Sequence, residues 1–205
     1  MTQEERQERS RELIYQAALD EFGAADFDAV TMDRICSSHK ISKGMMYHYF
    51  PNKEALFLFC AERIFLELKQ YLEERAGELD SLPAFEAVKA FYVMRESFFL
   101  TRKREKHIFE NAAFYPPKAL AEQIQKLREP LRRLNHQFVN RHISRITLRD
   151  GIDPDKAIRY LDSISSSFWT VMEQYRRKEA PSDLHSMLAI SEELMNMMLF
   201  GIAEP

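Results

Sequence analysis

Three lysines, Lys40, Lys43 and Lys53, fall in a stretch of the chain that holds no acid between them, although the first 60 residues as a whole carry 7 basic and 10 acidic side chains. Positive charge is therefore concentrated where Ile41-Ser42-Lys43-Gly44-Met45-Met46-Tyr47-His48-Tyr49-Phe50-Pro51-Asn52-Lys53 runs. The residue types suit contact with phosphate oxygens and base edges. Lys43 is a cation near a helix start, and Tyr47 and His48 offer hydroxyl and imidazole donors. Gly44 lets backbone approach a ligand with no side chain between. Lys53 adds its charge to the positive end of a helix dipole, a place that favours anions. The bland alternative is a solvated helix face that happens to carry lysines.

Other chemistry finds little support. His39 and His48 have no second ligand four residues on, and His107, His136 and His142 do not share a metal-binding spacing. Cys36 and Cys60 form no CxxC pattern and read as two reduced, partly buried thiols. The sequence contains no P-loop, no GxSxG, no HExxH and no Gly-rich dinucleotide turn, so an enzyme is not expected, and no cofactor or metal. The run Arg102 to Lys106 reads as a solvated helix junction. The arginines at 128, 132, 133, 141 and 145 read as a solvated face that could also meet an anion.

The elements that must position the lysines are helices. Of 205 residues only 5 are Gly and 8 are Pro, too few turn residues for a many-stranded sheet, and no period-2 apolar alternation is long enough for a strand. An amphipathic helix is expected over 4–23, with Leu13, Ile14, Ala17, Ala18, Leu19 and Phe22 as its apolar stripe and Gly23 at its end. Phe27 and Val30 lie in a connector able to pack back on that stripe. Thr31 and Ser42 then read as N-caps of two short helices, 32–38 and 43–49, joined by a tight turn. Phe50-Pro51 stops the second, because the residue before proline avoids helical dihedrals. Two short capped helices between longer ones are the helix-turn-helix arrangement, whose second helix enters the DNA major groove. Seven residues give ~10 Å of helix, and the groove is ~12 Å wide.

From Lys53 onward the expected helices are 53–76, 83–103, 105–114, 117–148, 154–178 and 183–201. Pro83, Pro116-Pro117, Gly151-Ile152-Asp153-Pro154 and Pro181-Ser182 punctuate them, and Pro130 should kink the helix that contains it. The reading is all-α. A helix-turn-helix DNA-binding domain of three helices occupies 1–52, and a larger helical ligand-binding and dimerisation bundle occupies 53–205.

The segment Ile41 to Glu54 resembles the signature of TetR-family transcriptional regulators: a small or aliphatic residue, Ser-Lys-Gly-x-Leu/Met-Tyr-His/Tyr-Tyr-Phe, then a Lys-Glu helix start. The likeness is close over about the first 60 residues and architectural beyond them. It implies that Thr31 caps the first helix of the motif and touches a phosphate. It implies that Ser42, Lys43, Tyr47, His48 and Lys53 contact chiefly the DNA backbone, that Gly44 and Met45 face bases, and that Phe50 is core. One departure concerns the turn, where the family pattern has Ala-Gly and this chain has His39-Lys40. Glycine there serves a positive φ that lysine tolerates poorly, so either Lys40 accepts strain or the turn geometry shifts slightly.

The remainder of the chain is rich in large apolar side chains. Phe91, Met94, Phe98, Phe109, Phe114, Phe138, Phe168, Trp169 and Met172 are the candidates for a ligand pocket, which the resemblance implies; residue by residue they read equally as bundle core. Apolar residues on more than one face of the last two helices point to burial against the bundle and against another chain, hence a homodimer through 154–201. A two-fold dimer places two recognition helices one DNA turn or more apart, so the expected partner is a double-stranded inverted-repeat operator. The function that follows is a ligand-responsive regulator, a repressor released by a small apolar or aromatic effector. A constitutive DNA binder and a helical protein-binding adaptor are the alternatives. No apolar leader opens the chain and no stretch approaches a membrane span, so a cytoplasmic protein away from membranes is expected. The formal charge of −3 gives no global attraction to nucleic acid and leaves that task to the local patch.

Overall fold

The computed structural model of the protein describes residues 2–161 and, beyond them, Ser163, Glu193, Asn196 and Met197. The described part is helical, and no β-strand forms within it. In order the helices are α1 (Gln3–Phe22), α2 (Met32–Ser38), α3 (Lys43–Tyr49), α4 (Lys53–Ala76), α5 (Ala84–Phe99), α6 (Lys103–Phe114) and α7 (Ala121–Ile143), with a further helical stretch from 154 to 161. None of the described helices is long and apolar enough to cross a membrane.

The chain divides into two compact units. The first comprises Met1–Glu67 and Arg102–Glu129; the second comprises Leu68–Thr101 and the described residues from Pro130 onward. The division differs from a simple cut at residue 52, because α6 and the start of α7 return to the unit that holds α1 to α3.

In the first unit, α1 opens with a capping box: Glu5 N–H donates to Thr2 Oγ1 (3.1 Å) and Thr2 N–H donates to the Glu5 carboxylate (2.8 Å). Ile14, Ala18 and Phe22 are sealed from solvent, but Leu13, expected in that stripe, is 54% exposed, one position round the helix from the buried arc. The connector folds as a 3₁₀ turn, Phe27–Ala29, and brings Phe27 and Val30 back on α1 as expected: the Phe27 ring lies parallel to Phe22 at 6.2 Å, and Val30 is fully buried. Phe57 of α4 meets both rings edge-on, at 5.2 and 5.0 Å. Arg63 of α4 lies 3.9 Å over the Tyr15 ring and binds Glu12, which fastens α1 to α4. Ile35, Met46, Leu56 and Phe50 complete the core beneath the two short helices.

The later boundaries shift by a few residues. α5 ends at Phe99, before the 103 expected, and α6 begins two residues early at Lys103. Pro116-Pro117 delays α7: a 3₁₀ turn (Lys118–Leu120), with Leu120 N–H on Pro117 O at 2.8 Å, precedes it. α7 ends at Ile143, five residues short of 148, and it runs on through Pro130. In the second unit Val88, Tyr92, Val139, Ile143, Ala157, Ile158 and Leu161 form an apolar cluster, and Phe91 stacks face to face on Phe138 at 4.0 Å. Gly151 adopts φ +82°, and Asp153 then caps the next helix through Lys156 N–H at 2.7 Å, with Pro154 just inside it. The rest of the expected helices 154–178 and 183–201, with Phe168, Trp169, Met172 and most of the dimerisation stretch, lies outside the described residues.

Candidate nucleic-acid interface

Each of the two short helices begins on a hydroxyl. Thr31 Oγ1 accepts from Arg34 N–H at 3.2 Å, and Ser42 Oγ accepts from Met45 N–H at 3.1 Å, so both side chains satisfy a first-turn donor while remaining exposed. Between them the chain turns with Ile41 N–H on Cys36 O at 3.0 Å, the six-to-one bond of a helix that ends on a left-handed residue. That residue is Lys40, at φ +55°, the one non-glycine positive φ among the described residues. The turn thus keeps its left-handed geometry and lysine bears the strain. His39 lays its ring against the acidic end of α1, 3.5 Å from Glu21 and 3.9 Å from Asp20.

On α3, Met46 points inward and is fully buried, Met45 is half-buried, and Lys43, Gly44, Tyr47 and His48 are exposed. Tyr47 is 49% exposed, and the His48 ring leans edge-on against Tyr49 at 4.9 Å. Among the described residues a Cβ added at Gly44 would meet nothing within 4 Å. Nothing among them therefore requires glycine in the first turn of α3, where alanine is the better helix former. Phe50, 4% exposed, is core beneath the motif.

Two positions behave differently from a plain basic patch. The Lys53 ammonium turns back into the head, donating to Phe27 O at 2.9 Å and lying 4.1 Å from the centre of the Phe27 ring. Lys43 Nζ lies 2.8 Å from Asp33 Oδ1 of α2, and that carboxylate pushes the lysine's pKa upward. Asp33 and Arg34, whose guanidinium pairs with Glu21 at 2.6 Å, are charged residues of this face that the sequence reading missed. Asn52 is a third omission, its Oδ1 accepting from Ala55 N–H at 2.8 Å to cap α4. Asn ahead of a Lys-Glu helix start is a readable signal for Asn52; nothing local marks Asp33.

The remaining candidates divide between the units. Phe109, fully buried, meets Phe65 and Phe114 edge-on at 5.7 and 6.0 Å in the first; Phe91, Met94, Phe98 and Phe138 belong to the second. Cys36 and Cys60 are free and buried, and burial pushes both thiols above their ordinary pKa. Among the described residues no cluster of His, Cys, Asp and Glu is fit to hold a metal ion.

Two capped short helices, a left-handed turn and an exposed Lys-Gly-x-x-Tyr-His face, carried on a longer helix pair, define a helix-turn-helix protein. Residues 14–59 match the family described as bacterial regulatory proteins, tetR family. A curated relative, the uncharacterized HTH-type transcriptional regulator YhgD of Bacillus subtilis (strain 168), is 33% identical over 120 residues, 57% of this chain; the match spans 60% of that protein's length. In fold the chain is similar to a transcriptional regulator FadR from Bacillus subtilis solved in complex with stearoyl-CoA (TM-score 0.71, 15% identity, 91% of this chain and 96% of that one). It is likewise similar to SmeT, the repressor of the Stenotrophomonas maltophilia multidrug efflux pump SmeDEF (TM-score 0.64, 20% identity, 95% and 90% covered). The head of the chain, residues 14–59, is thus similar to the tetR family of bacterial regulatory proteins, and the described fold is like that of solved transcriptional regulators.

Proposed function

We propose that the protein is a ligand-responsive DNA-binding repressor that acts as a homodimer on an inverted-repeat operator. The observation that carries the DNA-binding part is Gly44. Among the described residues nothing crowds it and its helix would be firmer with alanine, so close backbone approach of an outside ligand, flanked by Lys43, Tyr47 and His48, accounts for the glycine. Thr31, Ser42, Lys43, Gly44, Met45, Tyr47 and His48 form the contact set. Lys53 contributes through its hold on Phe27, which fixes where α3 leads into α4.

The helical remainder takes a small apolar or aromatic effector that biases the dimer away from the spacing of successive major grooves. Such a bias is limited by the effector's difference in affinity for the two forms. Support comes from the aromatic and methionine content after residue 53, and from the FadR structure solved with stearoyl-CoA. The homodimer through 154–201 rests on the apolar pattern of that stretch.

The test is fluorescence anisotropy on DNA from the protein's own upstream region across a salt series, with wild type and the Lys43→Ala/Tyr47→Ala double variant. Sequence-selective, salt-sensitive binding that collapses in the double variant establishes the reading. Binding indifferent to both changes overturns it. Sedimentation of the same samples reports the dimer, and thermal stabilisation by apolar compounds reports the effector.

A further inference from the structure

The charge balance of the α2–α3 face changes once Asp33 is placed. In sequence the stretch from Lys40 to Lys53 carries three lysines and no acid; in the structure the lysine at the head of α3 is met by the Asp33 carboxylate of α2 at 2.8 Å. Both side chains stay in water, 64% and 66% exposed, so the pair adds little to stability. The helices do not need it, since Met46 and Ile35 are already fully buried between them. An acid on a face that meets polyphosphate carries a repulsive cost as well. The pair's use therefore lies in what it does to Lys43.

A lysine ammonium has three N–H donors and one charge. Asp33 takes one donor and offsets the charge, which leaves two donors that can still hydrogen-bond a base edge, while the pull toward any phosphate is weakened. We propose that Asp33 is a specificity-determining residue: it turns Lys43 from a general phosphate cation into a base-edge donor and so suppresses binding to non-operator DNA. This rests on the DNA-binding reading above. Of the neighbouring cations, Arg34 is neutralised by Glu21 of α1 and Lys53 is turned to the Phe27 carbonyl, so Lys43 is the α3 cation whose charge Asp33 sets.

The experiment uses the full chain and a short random-sequence duplex, followed by anisotropy across a salt series. Wild type, Asp33→Asn, Lys43→Ala and the double variant are compared, each checked by circular dichroism. Freeing Lys43 adds one phosphate contact, so Asp33→Asn is expected to tighten non-specific binding and steepen the slope of log K against log salt by about 0.9. Lys43→Ala should barely change the slope while Asp33 is in place, yet lower it by about 0.9 in the Asp33→Asn background, whatever affinity is gained there by removing the acid itself. Asp33→Glu should keep the wild-type slope. Equal effects of Lys43→Ala in both backgrounds overturn the proposal while leaving DNA binding intact. Folded protein with no affinity for DNA in any variant overturns the DNA-binding reading, and this proposal with it.

Discussion

Gly23 and Arg104 meet so closely that no side chain fits between them: a Cβ at residue 23 would lie 2.5 Å from the Arg104 Cβ and 2.8 Å from its Cα. Gly23 itself has ordinary helical dihedrals (φ −77°), so it is present for the approach of α6 to the end of α1 and not for a left-handed turn. Asp20 and Arg104 form an ion pair at the same junction.

Because the obstructing atoms include backbone, Gly23→Ala must displace α6 or the end of α1. A loss of about 1–3 kcal/mol is expected, as for other overpacked contacts. Urea unfolding of the two proteins measures it. Stability equal to wild type would mean that the two helices separate at little cost.

Gly44→Ala should do the opposite. With open space around it, the new methyl firms the first turn of α3 by about 0.5–1 kcal/mol. DNA affinity should nonetheless fall, because the methyl stands where nucleic acid comes closest. A variant both steadier and equally tight on DNA would remove the main support for close backbone approach.

These two glycines mark the reach of a sequence reading. Thr31, Ser42 and the proline-delimited boundaries are legible because caps and breaks act within a few residues of the chain. The departure at Lys40 is visible in sequence, but whether lysine takes the left-handed φ or the turn shifts is decided only by the structure, which has Lys40 at φ +55°. Gly23 reads locally as a helix end, whereas its reason lies far along the chain, at Arg104. Leu13 fits the apolar period of α1, but which neighbours of Ile14 are covered depends on where α4 and α6 pack. Asp33 and Lys53 are hidden for the same cause: their partners, Lys43 and Phe27, are set by tertiary folding.

Lys53→Met tests the inward role of that lysine. A hydrogen bond from a charged donor and a cation–π contact are both lost from a half-buried position, so about 2 kcal/mol of stability should go. The salt slope of DNA binding should stay near the wild-type value. A slope shallower by about 0.9 with unchanged stability would instead make Lys53 a phosphate contact.

His142 should give the second unit a pH response. Its side chain is fully buried on α7, its ring beside Phe138 at 4.5 Å and its Nε2 3.1 Å from Asp80 Oδ1; Asp80 also accepts from Arg141 at 2.8 Å. Burial pushes its pKa below the ordinary 6.5, and the Asp80 carboxylate opposes this only in part. Between the folded value and 6.5 the unfolded chain binds the proton that the folded chain refuses, so stability is full above 6.5 and declines as pH falls through that window. Glu12 acts in a separate range. Its hydrogen bond to Arg63 holds its pKa below 4.5, so its contribution is present above 4.5 and is lost only on further acidification. Melting temperature should therefore drop on going from neutral pH to just below 6, and His142→Gln, which keeps a donor for Asp80 but cannot titrate, should flatten that decline while lowering stability at neutral pH. An unchanged decline in the glutamine variant would assign the proton to another group, and the buried imidazole would then be a packing residue alone.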